Sequence, residues 1–595
     1  MDTMHNNEPS QLGDFTISPR ALFISCIALC IGIINAFVAF LLLKLIGIFT
    51  NLFYFQRWSA EIVSPAGSSL GILMIFVPVV GALIIGIMAR FGSERIRGHG
   101  IPEAIESILF NGSKIQPRVA LLKPISSAIS IGSGGPFGAE GPIIMTGGAI
   151  GSIVSQYLRV SNSERKILLV AGAAAGMSAT FATPVSAVLL AVELLLFEWK
   201  PRSMIPVAVA SAAAAVMRRY ILGSGPFFIM PLAPAAYSPI AIGECVLAGI
   251  IAGVAAVVLT MAVYASEDFF RRLPLHWMWW PVIGGFAVGI GGFIFPQALG
   301  VGYGVIDEFL QGNMAVSLIF GVLIIKSFIW SFSLGSGTSG GVLAPLLMIG
   351  GALGGLETYI FAHESPGFWA FLSMAAILVG AMRTPFTGII FALELTRNSN
   401  ALLPLLITCV IAYAVTVLAM RRSILTEKVS RRGFHFAGEY EVDPLEKLSV
   451  QETLRQNITA LTIDLQTGME SVVMQNALSH SNQHLYPALD AQEQFAGVFA
   501  RRDLVVLLQE QHPEDLIISG FKLEQYLIKN PAVCYPDEPL RIAAYRMAAA
   551  NITQMPVLER GNLRKLVGMV SFTDFIKARS EIFQDENKRE RVLSL

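Results

Sequence analysis

The sequence predicts an all-α polytopic membrane protein, built as a two-fold internal repeat of broken helices, followed by a smaller soluble α/β domain pair. Three observations predict this class. The first is poverty of charge. Of 595 residues, 54% are hydrophobic and only 14% charged, against about 25% charged in an ordinary soluble domain. Mean hydropathy is +0.62. Length alone suggests about four soluble domains, but so few charges cannot clothe them. Disorder is excluded too, because it needs low hydrophobicity and high net charge. The second observation is partition. The formal net charge is zero, yet residues 1–430 hold 24 basic and 20 acidic side chains, and residues 431–595 hold 18 and 22. The charge density is about 10% in the first part and about 24% in the second. The third observation is a repeat.

In chain order, residues 1–20 are polar and lack a basic region or a small-residue cleavage site, so the apolar run after them reads as a retained helix. Long apolar runs follow at 21–43, 70–89, 203–217, 241–263, 280–295, 314–331 and 401–420. Runs of about 20 residues suffice to cross a ~30 Å hydrocarbon core. Shorter pieces lie at about 142–158, 167–180, 184–197, 343–361, 366–381 and 385–396, cut by Gly, Pro and single charges. Interrupted helices survive in lipid only where they are buried or line an aqueous path. The transmembrane region therefore reads as 21–430, with halves at about 21–222 and 240–430. A linker is expected at 431–450, small soluble domains at 451–512 and 518–582, and a charged tail at 583–595.

The repeat is explicit. GSGGPFGAEGPIIMTGGAIGS at 132–152 matches GSGTSGGVLAPLLMIGGALGG at 335–355. TPVSAVLLAVEL, from Thr183, matches TPFTGIIFALEL, from Thr384. Pro, Met, Ala and Glu recur in order at nearly one offset, which chance glycine matches do not produce. Paired Gly/Pro-interrupted segments in two halves point to a transport site where the halves meet. The pattern leaves open whether the halves are parallel or inverted. Arg421, Arg422, Lys428, Arg431 and Arg432 follow the last apolar run, which places the C-terminal part in the cytoplasm.

The chemistry lies in the first repeated block. Glycines let bare backbone N–H groups approach a ligand, and Pro is pre-organised for a first helical turn. A helix start offers unpaired N–H groups and about half a positive charge. Two repeat-related starts, 138–142 and 341–345, make an anion site without a fixed full charge, so a bound ion is free to leave. Close helix packing is the competing use of the glycines. Glu140 stands in this loop where its repeat mate is Leu343. A carboxylate at membrane depth is costly and marks function. It can occupy the anion site and release it on protonation.

At this point the chain resembles the ClC family of chloride channels and chloride/proton exchangers. The resemblance rests on GAEGP at 138–142, GHGIPE at 98–103, GVLAP at 341–345 and MRTPFTGIIFALELT at 382–396, in order across about residues 20–430. It implies that Glu140 is the gating glutamate. It also implies that amides of Glu140, Gly141, Val342 and Leu343 cradle the anion, with Gly138, Gly341 and the His99, Gly100, Ile101 loop around it. Three positions depart from the family pattern. His99 replaces a serine, Leu425 replaces the pore tyrosine, and Leu194 replaces the internal proton glutamate beside Glu193. His99 either donates to an anion, with a pH-dependent charge, or caps a helix. Glu193 either substitutes for the lost carboxylate or shares a structural role with its mate Glu394.

GVFARRDLVVLL at 497–508 and GMVSFTDFIKA at 568–578 share a strand-glycine-turn-helix pattern. They resemble a tandem pair of CBS domains, which implies an adenine-nucleotide site at Ser571 and Asp574; the first copy has Ala500 and Asp503. A dimerising scaffold is the other use. The five cysteines show no paired spacing and read as small buried hydrophobes, with the soluble part reduced and cytosolic. Metal spacing, a P-loop and a nucleophile–base set are missing, so neither an enzyme nor a required cofactor or metal is expected. The expected function is selective anion permeation, chloride first, gated by Glu140 and channel-like or loosely coupled. The alternative is a chloride/proton antiporter, or an exchanger of fluoride or nitrate. Expected partners are the anion, protons, membrane lipid and a second copy of the chain, in a plasma (inner) membrane, with no nucleic acid.

Overall fold

A computed structural model describes residues 19–230, 239–313, 315–361, 364–433, 445, 448–464, 466–480, 483–510 and 516–587. Most of the expected linker and nearly all of the polar leader lie outside them. The chain divides into two compact units, Met1–Glu439 and Tyr440–Leu595.

The first unit opens with α1 Arg20–Phe55, α2 Phe76–Phe91, α3 Ile101–Leu109, α4 Pro117–Gly132, α5 Glu140–Tyr157, α6 Asn162–Phe181, α7 Pro184–Leu190 and α8 Pro201–Ile221. The second half follows with α9 Pro239–Arg272, α10 Trp280–Ile294, α11 Tyr303–Leu310, α12 Val316–Phe320, α13 Ser327–Gly335, α14 Leu343–Glu357, α15 Pro366–Met382, α16 Pro385–Thr396 and α17 Leu402–Ala419. A short α18, Thr426–Arg431, closes the unit. Among the described residues, seven helices are long and apolar enough to cross a membrane, and they fall on the seven long apolar runs. Two boundaries differ: α9 runs past residue 263 to Arg272, and α1 is longer still. α1 continues past Lys44, whose ammonium lies over the Phe40 ring at 5.5 Å. Its 36 residues extend about 54 Å, so it passes well beyond the hydrocarbon core.

The two halves repeat their packing. α5 lies on α6 as α14 lies on α15, and α1 lies on α8 as α9 lies on α17. Glycines on the repeated blocks permit this. A Cβ on Gly147 or Gly151 would come within 2.3 or 2.1 Å of a carbonyl oxygen on α6, and on Gly350 or Gly354 within 2.6 or 2.1 Å of one on α15. These glycines serve close packing, unlike those of the loops before them.

The halves are inverted. Glu193, on a wider turn continuing α7 to Leu196, accepts from the Phe386 and Thr387 N–H groups (3.2 and 2.8 Å) and the Thr387 hydroxyl (2.6 Å). Glu394 accepts from the Val185 and Ser186 N–H groups at 3.0 and 2.8 Å. Each helix presents its later glutamate to the other's first turn, so homologous helices run antiparallel. Each carboxylate satisfies two orphan N–H groups of its partner. This gives Glu193 the structural role it shares with Glu394.

The second unit has strands β1 Leu461–Thr462, β2 Met469–Glu470, β3 Leu485–Leu489, β4 Phe495–Ala500, β5 Ile517–Ile518, β6 Gln554–Glu559 and β7 Asn562–Ser571. They form sheets β1-β3-β4, β2-β5 and β6-β7. Two hydrophobic cores divide it differently from the expected 451–512 and 518–582. Ile518, Leu523 and Leu527 pack with Leu461, Tyr486 and Phe499, whereas Val450 packs with Cys534, Val557 and Val570. The leading segment crosses over because its backbone pairs with the second module. Val450 N–H donates to Glu538 at 2.8 Å, and Arg455 N–H donates to Met569 at 2.8 Å. Burial pushes the Cys534 thiol up to about 12, an inert state. Cys245 and Cys409 are also buried, but Cys26 and Cys30 are exposed on α1, against the expectation of burial.

Candidate functional site: an anion cradle between inverted helix starts

Three loops meet at the centre of the first unit. Gly138 N–H donates to Gly341 (3.2 Å), and Gly341 N–H donates back to Gly138 (2.9 Å). Gly98 N–H donates to Thr338 at 2.8 Å, and Gly340 N–H to Gly98 at 3.4 Å. The repeated motifs thus hydrogen-bond to each other across the pseudo-two-fold axis and place the starts of α3, α5 and α14 side by side.

Glu140 is the first residue of α5 and is fully buried. Neither carboxylate oxygen has a hydrogen-bond partner. The backbone N–H groups facing it are its own and that of Ala344. A Cβ built on Gly341 would lie 2.9 Å from Glu140 Oε2, so the carboxylate rests against the second loop. A Cβ on Gly141 would lie 1.8 Å from the His99 carbonyl oxygen, so only glycine permits this approach. An unpaired buried carboxylate against two helix starts is costly in itself and is held where an anion is favoured.

The structure revises several expected donors. The N–H groups of Gly138 and Gly341 are spent on each other. Gly100 N–H is spent on Glu103 Oε2 at 2.9 Å, a cap of α3. These three shape the cradle but do not donate to an ion. Ile101, Glu140, Gly141 and Leu343 stand in the first turns of α3, α5 and α14, whose N–H groups lie outside the helical ladder. Val342 is the N-cap of α14. Ala344 joins the set, one residue beyond the expected pair. His99 is buried and its Nδ1 is unpartnered. Leu425, also buried, is the N-cap of α18. Leu194 is buried and carries no titratable group.

Sequence reading missed four side chains. Lys123 is fully buried and donates to the Ile96 and Gly98 carbonyls (2.8 and 2.7 Å) and to Ser339 Oγ (3.2 Å), tying two loops together. Lys326 repeats this, donating to Ala298 and Gly300 at 2.9 and 2.8 Å. Tyr264 donates its hydroxyl to the Ile424 carbonyl at 2.5 Å, next to Leu425, where the resemblance leads one to expect a tyrosine. Tyr303 has a buried, unpartnered hydroxyl within electrostatic range of Glu140, in a cluster with Phe181, Phe227 and Phe228. The lysine spacing of 203 residues, equal to the motif offset, was a signal for the first two.

A cavity of about 440 Å³ borders the loops, lined by Arg95, Arg97, Arg271, Lys428 and Arg432 with Glu94, Glu106 and Glu267. Glu267 pairs with Arg271 and Glu106 with Arg432, each at 2.6 Å. Arg97 lies over Trp277 at 4.6 Å, and a Cβ on Gly337 would come 2.6 Å from its Nη2. Glu103 pairs with Arg432 at 2.9 Å and with Lys428 at 3.4 Å, so most of these charges are matched within the wall.

In the second unit, Asp574 accepts from Ser571 N–H (2.9 Å) and Oγ (2.6 Å). Arg455 donates to the same carboxylate from Nε (2.8 Å) and Nη2 (2.6 Å). Ser571 and Asp574 are thus together, but Arg455 holds the carboxylate.

Inverted broken helices around a glycine-lined anion cradle define a transport protein of the membrane. The sequence pattern of the family described as "Voltage gated chloride channel" matches residues 80–417, and that of the CBS domain matches 523–581. The chain belongs to the voltage gated chloride channel family. A relative named H(+)/Cl(-) exchange transporter ClcA, from Vibrio campbellii, is 30% identical over 62% of this chain and 82% of its own. One named putative chloride channel protein ClcB-like, from Ralstonia nicotianae, is 27% identical over 60% and 85%. The crystal structure of a slow cyanobacterial Cl−/H+ antiporter aligns with TM-score 0.61 and 22% identity, over 70% of this chain and 99% of that one. A eukaryotic CLC transporter aligns with TM-score 0.58 and 20% identity, over 93% and 98%.

Proposed function

We propose that this chain passes small anions, chloride first, across a membrane, gated by Glu140 and coupled weakly or not at all to protons. The observation that carries the reading is the buried, unpaired Glu140 carboxylate against two inverted helix starts. When ionised it competes with an anion for the same N–H groups; when protonated it loses that advantage. Its relatives include a named proton/chloride exchanger, so exchange of chloride, or of fluoride or nitrate, is the alternative. Weak coupling is favoured because Leu194 has no proton to carry and Glu193 is engaged in capping α16.

We place the chain in the plasma (inner) membrane, as two copies with one pore each and the tail in the cytoplasm. No cofactor is needed and no reaction is catalysed. The tail acts as a scaffold; an adenine nucleotide would first have to displace Arg455 from Asp574. The test is anion efflux from chloride-loaded liposomes with simultaneous pH recording. Chloride efflux without uphill proton movement is expected. Proton uptake driven against its gradient by chloride would overturn the channel-like reading. Replacing chloride by fluoride or nitrate ranks the anions.

A further inference from the structure

The loop before α3 has an inverted copy before α11. Gly98 and Gly100 take positive φ (83° and 92°), and so do Gly300 and Gly302 (67° and 83°). Lys123 holds the Ile96 and Gly98 carbonyls, and Lys326 holds those of Ala298 and Gly300. Gly98 N–H donates to Thr338 in the loop before α14; Gly300 N–H donates to Gly134 in the loop before α5, at 3.0 Å. α3 lies on the face of α18, where Arg432 and Lys428 pair with Glu103. Inversion puts the start of α11 on the opposite, outer face of the cradle. At the first helical position the two copies differ: α3 begins with Ile101 and α11 with Tyr303.

Tyr303 is thus a second polar side chain that breaks the repeat here, after Glu140. Its hydroxyl, like both Glu140 oxygens, is buried with no hydrogen-bond partner, and the two groups lie within electrostatic range. The phenol is held in place. The Phe227, Phe228 and Phe181 ring centroids lie 5.0, 6.3 and 6.5 Å from its own, and the Phe227 and Phe228 N–H groups both donate to the Leu395 carbonyl, at 3.0 and 3.1 Å. A Cβ on Gly302 would come 2.4 Å from Met348 Sδ, so the start of α11 is seated on α14, whose own first turn helps form the cradle. A hydroxyl fixed there without a partner costs free energy that phenylalanine would avoid; an ionised carboxylate is a strong acceptor for it. The other titratable groups around Glu140 are committed or lie on the α3 side. Tyr54 donates to the Ser133 carbonyl at 3.0 Å, Lys123 and Lys326 hold carbonyls, and His99 stands across Gly141. We infer that Tyr303 is the outer berth of the gate: when an anion takes the cradle, the Glu140 side chain rotates away from α3 and its carboxylate accepts a hydrogen bond from the Tyr303 hydroxyl. This rests on the proposed role of Glu140 as the gate.

The berth stabilises only the ionised, displaced carboxylate, and this gives it a pH signature. A protonated Glu140 leaves the cradle without its help. The test uses the full chain in chloride-loaded liposomes. Tyr303→Phe should lower flux severalfold at alkaline pH, and the deficit should close as the pH falls and Glu140 takes up its proton. Glu140→Gln has no carboxylate to receive, so adding Tyr303→Phe to it should change flux at no pH. Chloride-induced infrared difference spectra supply a readout that packing does not move: the carboxylate band that disappears in Glu140→Gln should shift in Tyr303→Phe. A deficit of equal size at every pH, a deficit that persists in the Glu140→Gln background, or an unshifted band overturns the inference and leaves Glu140 as the gate. A native pH response retained in Glu140→Gln overturns the gating reading itself, and the berth with it.

Discussion

The two halves of the membrane body share a scaffold and differ at the gate. Lys123 and Lys326 each hold two backbone carbonyls just ahead of an apolar helix. Glu193 and Glu394 cap each other's helices. Gly138 and Gly341 exchange hydrogen bonds. At the first helical position the symmetry fails: α5 begins with Glu140, and α14 begins with Leu343. Symmetry builds a cradle whose helix starts approach from both halves. In the proposed function a single carboxylate then makes it respond to protons. On the proposed reading, function is carried by the residue that breaks the repeat and stability by those that keep it.

The largest effect is expected where scaffold and cradle coincide. Lys123→Met leaves two carbonyls unpaired in a buried site, and removes the tie to Ser339 on the opposite loop. Each hydrogen bond to a charged group contributes about 1.5–3 kcal/mol, so a loss of about 3 kcal/mol or more is expected. It should appear as a lower thermal midpoint in detergent together with loss of anion flux. Lys326→Met removes the equivalent ammonium but touches neither Gly98 nor Ser339. It should lower the midpoint while the surviving protein still transports. Equal loss of specific flux in the two variants would sink the division between scaffold and gate.

Glu140→Gln is the next largest. In the native chain, lowering the pH should protonate the carboxylate, end its competition with the anion and raise flux; raising the pH should do the reverse. Glutamine is fixed in the neutral form. Flux in liposomes should then stay near its acid level at every pH, above that of the native chain at neutral pH. A retained pH response would move the gate to His99. Leu343→Glu supplies the mirror test, since a second carboxylate opposite the first should depress flux further.

How much of this was legible follows from where each signal lies. The seven long spans and the two repeated loops could be read because apolar runs and Gly/Pro blocks are local in sequence. The glutamates Glu193 and Glu394 were visible as a pair, but not their partners, which lie 194 and 208 residues away. Inversion of the halves was not readable from broken helices and needed that reciprocal contact. Gly100, Gly138 and Gly341 looked like ion donors because glycine exposes its N–H; whether that N–H is already spent is a tertiary fact. In the tail, the segment around Val450 looked like the beginning of the first module. Its hydrogen bonds to Glu538 and Met569 assign it to the second. No local pattern encodes such a crossover.

Tyr303 offers the smallest and most diagnostic difference. Its hydroxyl is buried without a partner, and such a group costs about 1–3 kcal/mol unless it is used. A scaffold residue would be phenylalanine, as its neighbours Phe181, Phe227 and Phe228 are. Tyr303→Phe should therefore raise the thermal midpoint slightly. If the hydroxyl receives the Glu140 carboxylate when the anion displaces it, the same change should lower flux severalfold and leave Glu140→Gln unaffected. The double variant then separates the roles, because its flux should equal that of Glu140→Gln alone. A further drop in flux when Tyr303→Phe is added to Glu140→Gln would assign Tyr303 to packing rather than to the Glu140 carboxylate.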